Sequence, residues 1–122
     1  MASGAWVEAL RLDVTSEAAW ADAITTIDRQ ARALHALVNN AGLCISAPLA
    51  ETTTEIWRRQ MAVNLDGPFF GTRAAVPLIA RSGGGAVVNI SSVAGLNGVP
   101  GLSGYCATKG GVRLLTKAVA LE

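Results

Sequence analysis

Tyr105 and Lys109 stand four residues apart at the start of a segment with helical spacing. That separation sets both side chains on one helix face, one turn apart. Tyr105 is the only tyrosine in the chain, and Lys117 is the only other lysine. A free tyrosine ionises near ~10, too high for a base at neutral pH. A neighbouring ammonium favours the phenolate and moves the pair toward what acid–base work at neutral pH needs. Ser92 closes the apolar run V-V-N-I-S-S, and its hydroxyl could donate to a carbonyl oxygen as charge develops there. A Y-x-x-x-K pair by itself also describes two residues meeting on a solvated helix face.

Three strands and three helices are expected to position these side chains. Residues 6–14, W-V-E-A-L-R-L-D-V, read as a strand with imperfect alternation. Thr15 or Ser16 can cap the helix that follows, with Glu17 in its first turn. Trp20, Ile24, Ile27, Ala31 and Leu34 form one apolar stripe over residues 17–34. Residues 36–39 form a short buried strand, with Asn40, Ala41 and Gly42 just beyond it. Thr52 and Glu55 have capping-box spacing ahead of a long helix over 53–81. Asn64, Gly67 and Pro68 interrupt that helix, and Pro77 suggests a second bend. Residues 86–91 read as a doubly covered parallel strand, and a helix over 104–121 ends the chain. This β-α-β-α-β-α alternation predicts an α/β fold with a parallel sheet. Gly95, Gly98, Gly101 and Gly104 recur every third residue. They read either as an adaptable substrate-side loop or as a plain irregular connection.

Together, L-V-N-N-A-G, V-N-L-D-G, V-V-N-I-S-S and Y-C-A-T-K resemble the short-chain dehydrogenase/reductase family. The resemblance covers nearly the whole chain but only the middle of the family's domain. It implies a partial Rossmann-like doubly wound fold holding the family's third, fourth and fifth strands, without the first two or the last. Residues 1–122 then form an incomplete NAD(P)-binding domain. By resemblance Tyr105 is the general acid/base, and Lys109 tunes it and holds the nicotinamide ribose. Ser92 orients the carbonyl, and Asn64 sits at a helix break that holds a water. Asn40, Ala41 and Gly42 lie against the cofactor, and Asp13 and Val14 meet its adenine end. The cofactor is NAD or NADP; the strand that chooses between them, and the Gly-rich pyrophosphate turn, are not in this sequence. The isolated chain is therefore expected to bind a dinucleotide weakly and to have doubtful turnover.

The implied reaction interconverts a small secondary alcohol and a ketone. The motif surroundings are similar to hydroxysteroid and cyclic-alcohol dehydrogenases, and nearly as similar to 3-oxoacyl carrier-protein reductases. The alternative is a non-catalytic chain that pairs with itself or with a longer subunit, or a gene fragment without its own activity. In the family the helices matching 53–81 and 104–121 form the main interface between subunits, so a homo-oligomer is expected.

Composition narrows the rest. At 122 residues there is room for one domain. A net charge of +1 argues against nucleic acid as a partner. No apolar run reaches the ~18 residues of a membrane span, and no basic-then-apolar leader opens the sequence. Cys44 and Cys106 form no ligand pattern and suit a reducing cytoplasm. His35 is the single histidine and falls at a helix-to-strand junction, so no metal site is expected.

Overall fold

A computed structural model describes residues 7–122. Ser16 opens the first helix, α1 (Glu17–Ala31), from extended backbone, and its Oγ accepts the Ala19 N–H. Glu17 lies in the first turn, where a carboxylate meets the positive helix end. The helix stops at Arg32, whose left-handed backbone (φ 58°) returns its N–H to Asp28 O. Trp20 is the buried member of the apolar stripe. Its indole N–H donates to Val14 O at 3.1 Å and so fastens the turn before the helix.

Strand β1 (Ala36–Asn39) pairs in parallel with β2 (Ala86–Asn89), in register from Ala36 opposite Ala86 to Asn39 opposite Asn89. Between them runs one helical stretch in three parts: α2 (Thr54–Met61), a π turn (Ala62–Asp66) and α3 (Gly67–Arg81). The last helix is α4 (Ser103–Val119). The helices thus alternate with parallel strands as in a Rossmann-like α/β fold. Helix α1 packs on α3, and a Cβ on Gly71 would come within 2.7 Å of the Trp20 ring. An Arg81–Asp28 ion pair at 2.8 Å bridges the same two helices on the surface.

The strand expected at 6–14 is not formed over the described residues 7–14; residue 6 lies outside them. A strand needs a neighbour to bond, and no described segment offers one. Its C-terminal end instead folds into a turn, in which the Asp13 carboxylate accepts both the N–H and the hydroxyl of Thr15. The sheet described therefore has two strands rather than three.

The expected double covering of the strands is also corrected. Asn39 donates to Thr72 on α3, and Asn89 donates to Thr116 on α4, so the helices reach the sheet from that face. On the opposite face Val38 and Val88 remain 56% and 46% exposed. A third correction concerns the cap: Thr53, not Thr52, caps α2, accepting the Ile56 N–H. Thr52 spends its hydroxyl on Pro48 O.

Candidate active site

The break in the long helix is a single widened turn. The Gly67 N–H reaches back to Ala62 O, five residues away, the signature of a π turn. Gly67 packs closely there: a Cβ would come within 3.2 Å of the Val14 side chain. Asn64, in the middle of the turn, is fully buried. Its Oδ1 accepts the Leu43 N–H at 2.8 Å, and its Nδ2 donates to Leu43 O at 2.8 Å and to Thr108 Oγ1 at 3.2 Å. One amide side chain thereby joins the loop after β1 to the π turn and to α4.

Lys109 is the buried cation of the site, 5% exposed. Its Nζ donates to Ile90 O at 2.7 Å and lies 5.8 Å from the centroid of the Tyr105 ring. Loss of hydration pushes its pKa below the ordinary lysine value. Tyr105, one turn earlier, is half-buried. A Cβ on Gly42 would stand 3.5 Å from Lys109 Nζ and 3.4 Å from Asn64 Oδ1. Gly42, Asn64, Tyr105 and Lys109 therefore meet at one place.

Ser92 is brought alongside by close packing. It caps a 3-10 turn (Val93–Gly95), with Oγ accepting the Ala94 N–H at 3.1 Å. That turn rests directly on α4, where a Cβ on Gly95 would be 2.7 Å from the carbonyl of Lys109. Ser91 fixes the contact by donating its hydroxyl to Lys109 O at 2.9 Å. Because Ser92 Oγ uses a lone pair toward Ala94, its own proton stays available for an outside acceptor.

The remaining expected residues lie apart from this cluster, around a separate cleft. Val14, Asn40 and Ala41 line a cleft of about 160 Å³ that also touches Leu12, Trp20 and Val63. Asp13 lies beside Val14 and is exposed. The Thr15 hydroxyl and N–H that donate to its carboxylate hold its pKa below the usual value. The glycine-rich segment 93–103 is tied down at both ends, where Gly95 O accepts from Arg113 at 3.2 Å and Gly101 O accepts the Ala47 N–H at 2.9 Å. Gly101 adopts φ 74°, a conformation that suits glycine.

Sequence reasoning missed three polar anchors. Thr108 holds Asn64 from α4, and Gln60, 1% exposed, accepts the Ile45 N–H at 3.1 Å. Asn39 joins the strands by donating to Asn89 Oδ1 at 2.8 Å. The signal for Gln60 was present, since it sits one helical turn before Asn64. Among the described residues no His, Cys, Asp and Glu side chains gather as a metal site, and no helix is long and apolar enough to cross a membrane.

A family model described as short chain dehydrogenase matches residues 2–122. Cyclopentanol dehydrogenase of Comamonas sp. (strain NCIMB 9872) is 44% identical over 113 residues, covering 93% of this chain and 45% of that protein. The NADP-dependent (R)-specific alcohol dehydrogenase of Lentilactobacillus kefiri is 40% identical, over 90% of this chain and 44% of that one. Among solved structures, a gluconate 5-dehydrogenase from Burkholderia cenocepacia J2315, in complex with NADP and tartrate, superimposes with a TM-score of 0.86 at 37% identity. It covers 90% of this chain and 43% of that one. The chain thus spans less than half the length of the relatives it matches.

Proposed function

The chain belongs to the short chain dehydrogenase family, and from that premise we propose that the protein interconverts a secondary alcohol and a ketone with NAD or NADP, using Tyr105 as general acid/base. The carrying observation is the convergence of Gly42, Asn64, Tyr105 and Lys109 on one spot, with the turn that Ser92 caps packed on Lys109 through Ser91 and Gly95. The names of two similar proteins, a cyclopentanol dehydrogenase and a hydroxysteroid dehydrogenase of Mycobacterium tuberculosis (strain ATCC 25618 / H37Rv), favour a cyclic secondary alcohol as substrate.

The residues present suit a dinucleotide. Val14, Asn40 and Ala41 line one cleft, and Gly42, the residue after Ala41, leaves open the space that a Cβ would take beside Lys109 Nζ. Asp13 and Val14 would hold the adenine end, Asn40 to Gly42 the middle, and Tyr105 and Lys109 the nicotinamide ribose. A bound nicotinamide supplies or accepts the hydride. Tyr105 moves the proton: in alcohol oxidation its oxygen takes the hydroxyl proton, and in ketone reduction it returns one. Ser92 donates its free hydroxyl proton to the substrate oxygen and fixes the carbonyl's direction. Lys109, anchored by Ile90 O, sets a cation under this proton transfer.

Tyr105→Phe tests the assignment, because it keeps the ring and deletes the proton. Turnover of the whole protein should fall by at least about 100-fold, with an unchanged melting temperature. A variant that keeps more than a few per cent of parental turnover refutes the role.

A second reading concerns assembly. Helices α3 and α4 leave between them a mainly apolar groove of about 290 Å³ lined by Phe69, Val76, Pro77, Leu115 and Val119, with Arg73 and Glu122 also lining it. Phe69 and Val76 are 40% and 41% exposed there. We propose this face as the surface through which copies of the protein associate.

A further inference from the structure

The loop after β1 is held by two amides rather than one. Asn64 takes both backbone groups of Leu43, and Gln60 takes the N–H of Ile45. Gln60 and Asn64 are four apart on a helical run, a rise of about 6 Å, and their partners Leu43 and Ile45 are two apart in the loop. One helix face therefore holds the loop at two rungs.

The same two side chains press on α4, again four residues apart. Asn64 donates to Thr108, and Gln60 Nε2 lies where a Cβ on Gly104 would come within 2.6 Å. Each rung ends one residue before a reactive side chain, Gly104 before Tyr105 and Thr108 before Lys109. The first turn of α4 has no side-chain cap, since Leu102 offers none. What restrains that turn is packing, and the buried amide of Gln60 is the polar group that supplies it. The Ala47–Gly101 hydrogen bond ties the incoming loop to the same extended segment.

We infer that Gln60 is a positioning residue. It sets the first turn of α4, and with it the Tyr105 hydroxyl, against the Leu43–Ala47 segment. The inference rests on the reading of Tyr105 as the acid/base group.

The test uses the whole protein and three variants: Gln60→Leu, Gln60→Glu and Tyr105→Phe. Leucine is close in size and removes the acceptor for Ile45; glutamate keeps an acceptor at that place. Gln60→Leu should lower kcat about tenfold, the effect of one hydrogen bond, and leave the KM for the dinucleotide within about twofold. Lys109 is anchored independently through Ile90 O, so cofactor affinity has no reason to follow. Gln60→Glu should recover part of the lost kcat at acidic pH, where the buried carboxyl is protonated and still accepts the Ile45 N–H, and less at neutral pH. A kcat for Gln60→Leu within about twofold of the parent, with Tyr105→Phe inactive, overturns the inference while leaving the function intact. Equal losses in kcat and in dinucleotide affinity also overturn it, since they mark general damage. An active Tyr105→Phe removes the functional reading instead. Amide hydrogen exchange at residues 103–108 then decides the geometric claim by itself: faster exchange in Gln60→Leu supports it, and unchanged exchange overturns it.

Discussion

Replacing Asn64 with leucine separates two accounts of what holds the π turn. Asn64 is fully buried, so on a purely apolar account leucine gains the transfer of a large side chain, about 1.5–3 kcal/mol. The hydrogen bonds give the opposite sign. Leucine strips partners from the Leu43 N–H and the Leu43 carbonyl, both bonded at 2.8 Å. It also strips a donor from Thr108 Oγ1, which still donates to Tyr105 O. Each stranded buried group costs about 1–3 kcal/mol. Leu43 is half-buried, so water relieves part of that, and the lower half of the range applies. Two backbone groups and a weakened hydroxyl then outweigh the leucine gain by about 2 kcal/mol, a large share of a total of about 5–15 kcal/mol. In urea, with a slope near 2 kcal/mol per M, the midpoint should fall by about 1 M at constant slope. A midpoint equal to or above that of the parent refutes the reasoning and makes the turn an apolar joint.

Lys109 gives a pH test. Burial lowers its pKa, so between that lowered value and 10.5 the unfolded chain binds more protons than the folded one. Stability should therefore rise with pH across that alkaline window and be independent of this group below it. The difference in unfolding free energy between the parent and Lys109→Met should slope upward there, and a flat difference counts against a desolvated lysine. For assembly, Val76→Glu puts a charge in the α3–α4 groove and should shift sedimentation toward a smaller species; a parent that already sediments as a monomer removes the association proposal.

The elements that patterning located are those whose residues carry their own local instructions. Ser16, Glu17 and the Trp20 stripe define α1 without help from elsewhere, and the helix starts where the cap says. The interruption at Asn64, Gly67 and Pro68 was legible as a break; that the break is a π turn was not, because it depends on Gly67 fitting under Val14. The segment 6–14 carries strand-forming residues, but pairing is a property of a neighbour rather than of the segment. The capping residue was missed by one position because Thr52, Thr53 and Thr54 are chemically equivalent, and only the path from Pro48 selects Thr53. At the site, Tyr105 and Lys109 drew notice by type and spacing, and the family resemblance gave them and Ser92 their expected roles. Thr108 drew none, since a buried hydroxyl is recognised only once its partners are seen, and Gln60 was marked only by its place one turn before Asn64.

Those silent residues explain why the reactive pair has one orientation. Helix α4 carries two sets four residues apart: Tyr105 and Lys109, which we propose for chemistry, and Gly104 and Thr108 for packing. Successive residues on an α-helix are about 100° apart, so the sets occupy adjoining faces that turn together. Gly104 admits Gln60 because it lacks a Cβ, and Thr108 offers Asn64 a hydroxyl. If α4 rolled by one residue, Ser103 and Ala107 or Tyr105 and Lys109 would face the amides, and none of those combinations reproduces both the space and the hydroxyl. The roll that seats the packing pair is therefore also the roll that carries Lys109 Nζ to Ile90 O. Unreactive residues one step away in sequence thus determine where the reactive ones point.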